Sequence, residues 1–139
     1  MTRNEYLEEV VQARIKHNEH YRQLPYRLKY DDATGKTIQE KFQTVGYGHK
    51  IIPGETLPTD KEGFEKLFVS DFDIAVKGVE TFDLPPSLPS AVYGAVVEMA
   101  YQMGTEGTRK FKKTLNYMRM GDFDNASVEM LDSDWATQT

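Results

Sequence analysis

Glu19 stands inside the run His17-Asn18-Glu19-His20-Tyr21, where a helical pattern gives way to an extended one. A carboxyl at such a junction, partly withdrawn from water, can keep its proton near neutral pH and pass it to a leaving oxygen, as a glycosidase acid must. A lone Glu in a charged helix end is by default a solvated residue, so its neighbours decide. The segment TVGYGH, Thr44 to His49, offers candidates. Read as one strand, it puts Thr44, Gly46 and Gly48 on one face and Val45, Tyr47 and His49 on the other. The first face is a hydroxyl followed by bare backbone. Glycine inside a strand marks either a bulge or tight bend or the close approach of a ligand, and both stand open at this point. His17, Glu19, His20 and His49 are also metal-ligand types. His17 and His20 share a helical face at i and i+3, but no HExxH arrangement and no further carboxylate at a suitable spacing accompanies them, which favours solvated or hydrogen-bonded histidines over a metal site.

The elements that must position these groups follow from periodicity. Over 3–18, Tyr6, Leu7, Val10, Val11 and Ile15 form one stripe with Glu8, Glu9, Gln12 and Lys16 outside it, which predicts an amphipathic helix. Tyr26, Leu28 and Tyr30 alternate with Arg27 and Lys29, Asp31-Asp32-Ala33-Thr34-Gly35 supplies turn chemistry, and 37–47 returns as strand, so a hairpin is expected. Pro53-Gly54 and Pro58 form a loop, and Thr59 with Glu62 has the form of a capping box opening a long helix. Its apolar positions Phe64, Leu67, Phe68, Phe72, Ala75, Val76 and Val79 keep helical spacing until the prolines at 85, 86 and 89, a candidate lobe boundary. Beyond them the chain reads as helices only. One is capped by Ser90 and stopped by Gly104, one runs from about 108 to Gly121, and one carries Ala126, Met130 and Leu131.

The expected class is therefore α+β and mostly helical: a single domain over 1–139, with a small β-containing lobe at 19–58, a connecting helix at 59–80, and a helical lobe of 81–139 that also takes the helix of 3–18. Clefts between lobes are where ligands tend to sit. With 139 residues, 39% of them hydrophobic, the chain can build a core without staples, and the absence of cysteine removes disulfides and thiolate metal sites. A net charge of −5 argues against a general nucleic-acid binder or an electrostatic membrane binder. The N-terminal MTRNEYLEEVVQ has no apolar signal core, and no apolar run reaches bilayer-spanning length, so membrane insertion and signal-directed export are not expected.

Taken in order, Glu19-x-x-Arg22 with Tyr26, then TVGYGH, LFVSDFDIAV, AYQMGTEGTRKFKKTL and SVEMLDSDWATQT make a chain that resembles the T-even phage lysozymes, glycoside hydrolase family 24, across almost its whole length. The resemblance implies a lysozyme-like two-lobe fold and cleavage of the β-1,4 bond between N-acetylmuramic acid and N-acetylglucosamine in peptidoglycan, with no cofactor and no metal. Carried over position by position, Glu19 matches the catalytic acid, Thr44 the threonine beside the attacking water, and Gly48 a backbone contact under the sugar. With Gly46, the bare face becomes a saccharide floor. Tyr101, Gln102, Thr114 and Trp135 match positions in or behind the cleft. The implied partner is the peptidoglycan glycan strand. The implied location is synthesis in the host cytoplasm and action on the periplasmic cell wall, as a free endolysin or as part of a larger virion protein. The resemblance also implies further helix beyond Gln138-Thr139, so the C-terminal end of the family fold is expected to be missing.

One position departs from the family pattern. The catalytic aspartate that usually follows the Glu by about nine residues is here Leu28, which can neither orient nor deprotonate water. Asp31 or Asp32 takes that role only if the hairpin folds over the cleft; in a regular hairpin they are turn residues, too distant for the carboxylate separations that glycosidases use. A lytic transglycosylase, whose nucleophile is a hydroxyl of the substrate, needs no second carboxylate and stands as the alternative. A non-catalytic glycan-binding virion domain is a third, against which the presence of both Glu19 and Thr44 argues.

Overall fold

The computed structural model describes residues 1–31 and 36–131, with the backbone alone at 22–31, 36–44 and 130–131. Helix α1 (Arg3–Tyr6) runs through a π-helical turn, Leu7–Val11, into α2 (Gln12–Glu19). Strands β1 (Arg22–Asp31), β2 (Lys36–Gly46) and β3 (His49–Lys50) follow, then α3 (Lys61–Glu80), α4 (Ser90–Met103), α5 (Thr105–Arg109), α6 (Lys112–Arg119) and α7 (Phe123–Leu131). The described fold is mostly helical α+β, as the periodicities predict. Packing divides the chain into two units: Ala13–Asp71, and Met1–Gln12 with the chain from Phe72 onward.

In the first unit the three strands form an antiparallel sheet in the order β1-β2-β3. Asp31 pairs with Lys36 and Tyr26 with Thr44, with register shifts on either side of Tyr26. The residues between Asp31 and Lys36, Asp32 among them, lie outside the described residues, as does Trp135. The core of this unit holds Ile15, Val45, Tyr47, Phe64 and Phe68. Tyr47 meets Phe68 edge-on at 5.5 Å between ring centroids, and Tyr21 packs against Tyr47 at 5.4 Å and Phe64 at 5.9 Å. Aromatic pairs at these separations favour offset or edge contacts.

The second unit buries Leu7 and Val11 with Val79, Phe82, Tyr93, Val96, Val97, Met99, Leu115 and Met118. Thr2 and Glu5 form a reciprocal capping box at its start. Arg3 donates to the carbonyls of Pro86 and Leu88 and lies 4.1 Å from the Tyr93 ring centroid, so the proline-rich stretch is tied to the N-terminus. Arg119 donates twice to the Phe82 carbonyl, holding the chain just past α3.

Three local expectations change. Helix α3 is capped by Asp60 rather than Thr59: the Asp60 carboxylate accepts from the Gly63 amide at 2.8 Å, and a carboxylate at that end also suits the helix dipole. Helix α4 begins behind Pro89 with Ser90 already helical and no side-chain cap; proline's fixed φ and missing N–H suit a helix entrance. The helix expected from 108 to 121 is two, α5 and α6, parted at Lys110 and Phe111.

Candidate active site

The TVGYGH segment is not one strand. Chain β2 ends at Gly46, Tyr47 and Gly48 form a turn, and β3 returns so that Val45 pairs with His49 and Thr44 with Lys50. Both glycines have positive φ, +64° at Gly46 and +83° at Gly48, a region that L side chains enter only at a cost. The tight bend, one of the two alternatives for these glycines, is therefore real, and the flat floor of alternating bare positions is replaced by a corner. The two glycines serve different neighbours. Gly46 is buried, and a Cβ there would lie 2.9 Å from Cδ1 of Phe64; its bareness admits the core. At Gly48 a Cβ would lie 2.6 Å from Oε2 and 3.0 Å from Cδ of Glu19; its bareness admits a carboxylate.

Glu19 reaches this point because α2 stops there. His20 adopts a left-handed conformation, φ +58°, while its amide still donates to the Lys16 carbonyl at 3.1 Å. This ends the helix as a C-terminal glycine often does, and the chain turns directly into β1. Glu19 is half-buried and its carboxyl lies over the Gly48 backbone. His17 and His20 are exposed, their rings 6.3 Å apart.

His49 is occupied by carboxylates. Its Nδ1 lies 2.7 Å from Oδ2 of Asp71 and its Nε2 2.8 Å from Oε1 of Glu55, which also accepts from the Ile52 amide at 2.9 Å. Two carboxylate partners need an imidazolium with both nitrogens protonated. Burial works against that charge, but the bonds to Glu55 and Asp71 outweigh it and hold His49 above its ordinary value. The Ile52 amide and then His49 hold Glu55 below the usual carboxylate range. For Asp71 burial is the larger influence and pushes it up against the pull of His49. This clasp anchors the loop that leaves β3 to the middle of α3.

A second polar group escaped the sequence reading. Glu65 on α3 accepts from the Tyr47 hydroxyl at 2.8 Å and pairs with Lys16 Nζ at 2.5 Å. No short-range pattern marks it, since its partners lie 18 and 49 residues away, and Lys16 reads in the sequence as an outward-facing residue of the first helix.

Of the residues singled out in the sequence, Glu19 and Gly48 are brought together. Thr44 is placed by its backbone on β2 between Tyr26 and Lys50. Tyr101 and Gln102, on the last turn of α4, are half-buried, and Thr114 on α6 is buried; these three belong to the second unit. Leu28, at the position of the family aspartate, pairs with Gln39 on the far side of the register shift from Thr44. Asp31 stands five positions beyond Tyr26 on β1, roughly 16 Å from the level of Thr44 at about 3.3 Å per residue.

Comparison with known proteins finds lysozymes and an endolysin. The probable T4-type lysozyme 2 of Dictyostelium discoideum is 27% identical over 146 residues, spanning 81% of this chain and 84% of that protein. The probable T4-type lysozyme 1 of the same organism is 30% identical over 124 residues, spanning 81% and 67%. The endolysin of Bacillus phage B103 is 33% identical over 95 residues, spanning 66% of this chain and 35% of the endolysin. The phage lysozyme family model matches residues 21–139, and with its mostly helical α+β fold the chain belongs to the phage lysozyme family of glycoside hydrolases.

Proposed function

We propose that the protein is a muramidase in which Glu19 is the general acid. The observation that carries this is the Glu19 carboxyl seated on the bare backbone of Gly48, at the corner where β2 turns into β3. In the reaction Glu19 gives its proton to the glycosidic oxygen between N-acetylmuramic acid and N-acetylglucosamine as the C–O bond breaks. Water held by Thr44 adds to the anomeric carbon from the opposite face of the ring and loses its own proton to solvent. Helix α2 ends at Glu19, so the acid stands where the chain turns into β1. Gly48 offers backbone to the sugar. Tyr101, Gln102 and Thr114 are the further substrate-binding candidates, the first two half-buried and Thr114 buried. Gly46 is left out of the binding set because Phe64 fills its open side. The substrate is the peptidoglycan of the cell wall, and among the described residues no helix is long and apolar enough to cross a membrane.

A second reading, lytic transglycosylation of the same bond, is favoured by Leu28 alone, since it leaves no carboxylate at the family's second catalytic position. Mass spectrometry of the fragments released from purified peptidoglycan separates the two: reducing ends mark hydrolysis, 1,6-anhydro ends transglycosylation. Glu19→Gln tests the acid itself. It keeps shape and hydrogen bonding but has no proton to give, so lysis should fall by at least the roughly 10²–10⁴-fold typical of a general acid. Near-normal turnover would remove Glu19 from the mechanism.

A further inference from the structure

The two oxygens of Glu65 are used by two different segments. Oε2 pairs with Lys16 Nζ, and Oε1 accepts the Tyr47 hydroxyl at 2.8 Å. The same ammonium group lies 5.2 Å from the Tyr47 ring centroid and 5.0 Å from that of Phe68, close enough for cation–π attraction. Lys16 precedes Glu19 by three residues on α2, the spacing that sets two side chains on one helix face. Tyr47 is joined by a peptide bond to Gly48. Glu65 thus takes one bond from the segment that carries the acid and one from the segment that carries the glycine beneath it.

We propose that Glu65 is a positioning residue for the lysozyme reaction: through Lys16 and Tyr47 it fixes how the end of α2 and the Tyr47–Gly48 turn approach one another, and so where the Glu19 carboxyl rests. This rests on the muramidase reading of Glu19. The Lys16 bond holds Glu65 below the usual carboxylate range against its burial. Burial, then the bond to Glu65, raises the Tyr47 phenol to about 12, so it remains a donor. Lys16 and Glu65 are about a third exposed, and an ion pair so placed adds little to stability. Geometry is where its loss should be felt, because reacting groups displaced by about 1 Å can lose about 10²-fold in rate.

The test uses Glu65→Ala, with Tyr47→Phe and Lys16→Met each removing one arm and Glu65→Gln restoring an acceptor for the phenol. Lys66→Ala, on an exposed residue of the same helix, is the control. Turnover on purified peptidoglycan is measured beside the ¹³C titration of the Glu19 carboxyl in the folded protein. Glu65→Ala should lower kcat by about 10–100-fold with KM changed by less than about threefold. The midpoint of the Glu19 titration should move by about half a unit or more as its surroundings loosen. Glu65→Gln should recover part of kcat, and Lys66→Ala should behave as the parent. If Glu65→Ala does not fold, Tyr47→Phe, which deletes a single oxygen, carries the same expectation in smaller measure. Unchanged kcat and an unchanged Glu19 titration in a folded variant would overturn the proposal. An active Glu19→Gln would instead refute the muramidase reading, so the two failures are distinguishable.

Discussion

Adding one carbon at Gly48 should separate the catalytic role proposed for this corner from its structural one. In Gly48→Ala the new Cβ would sit 2.6 Å from Oε2 and 3.0 Å from Cδ of Glu19, where ordinary contact begins at 3.4 Å, so the carboxylate must withdraw by 0.8 Å (3.4 − 2.6). The carboxyl ends a flexible side chain and gives way more cheaply than the backbone. A displacement of about that size can cost about 10²-fold in rate, equivalent to about 2.7 kcal/mol of barrier. The fold carries a different load: alanine at φ +83° is strained by about 1–2 kcal/mol, or roughly 3–7 °C in Tm for a domain of this size. Initial rates of lysis on purified peptidoglycan, corrected for folded fraction by circular dichroism, give the first quantity, and thermal melting the second. Gly46→Ala is the contrast. Its Cβ meets the Phe64 ring at 2.9 Å, so it should lower Tm at least as much while rate per folded molecule falls far less. Should Gly48→Ala melt as expected yet keep activity within about threefold, the Glu19–Gly48 contact would be a packing feature and the chemistry would lie elsewhere.

Tyr21→Phe should stabilise the protein by about 1–3 kcal/mol, because the Tyr21 hydroxyl is buried without a hydrogen-bond partner while its ring contacts would be kept; a lower Tm would contradict this. His49 in the folded protein holds its proton above its ordinary value. The stability from its clasp should therefore be whole below about pH 6.5 and be lost as pH rises through the raised value. His49→Gln should flatten that alkaline decline in a series of melting curves, and an unchanged decline would assign it to other groups. Asp31→Asn with Asp32→Asn should leave lysis within about tenfold of the parent, about 1.4 kcal/mol, whereas Thr44→Val should cost more; the reverse order would mean that a turn carboxylate activates water after all.

What could be read before folding was what repeats over short distances. The stripe of Leu7, Val11 and Ile15 predicted the first helix, and the alternation around Tyr26, Leu28 and Tyr30 predicted β1. The TVGYGH corner misled because glycines at i and i+2 have the spacing of one strand face, while positive φ at both positions leaves no mark in sequence. Thr59 and Ser90 look like caps wherever they stand; the actual entrances, at Asp60 and Pro89, depend on where the backbone begins to coil. The contacts between distant segments were the least visible. Glu19 meets Gly48 across 29 positions of chain (48 − 19), and Glu65 meets Lys16 across 49. No local pattern encodes such meetings, and only resemblance to a known arrangement placed Glu19 and Gly48 in one site beforehand.

The division of the chain into units bears on the order in which it is made. Ala13–Asp71 is one uninterrupted stretch, but Met1–Gln12 packs with residues that begin at Phe72, and Arg3 finds its acceptors at Pro86 and Leu88. A ribosome adding about 5–20 residues per second releases the partners of the first helix several seconds after the helix itself. During that interval Leu7 and Val11 have no core to enter and are exposed to other chains or to chaperones. The contiguous unit can acquire its Glu19–Gly48 corner first, and closure of the long loop from the N-terminus to α4 then becomes the slow, entropically costly step.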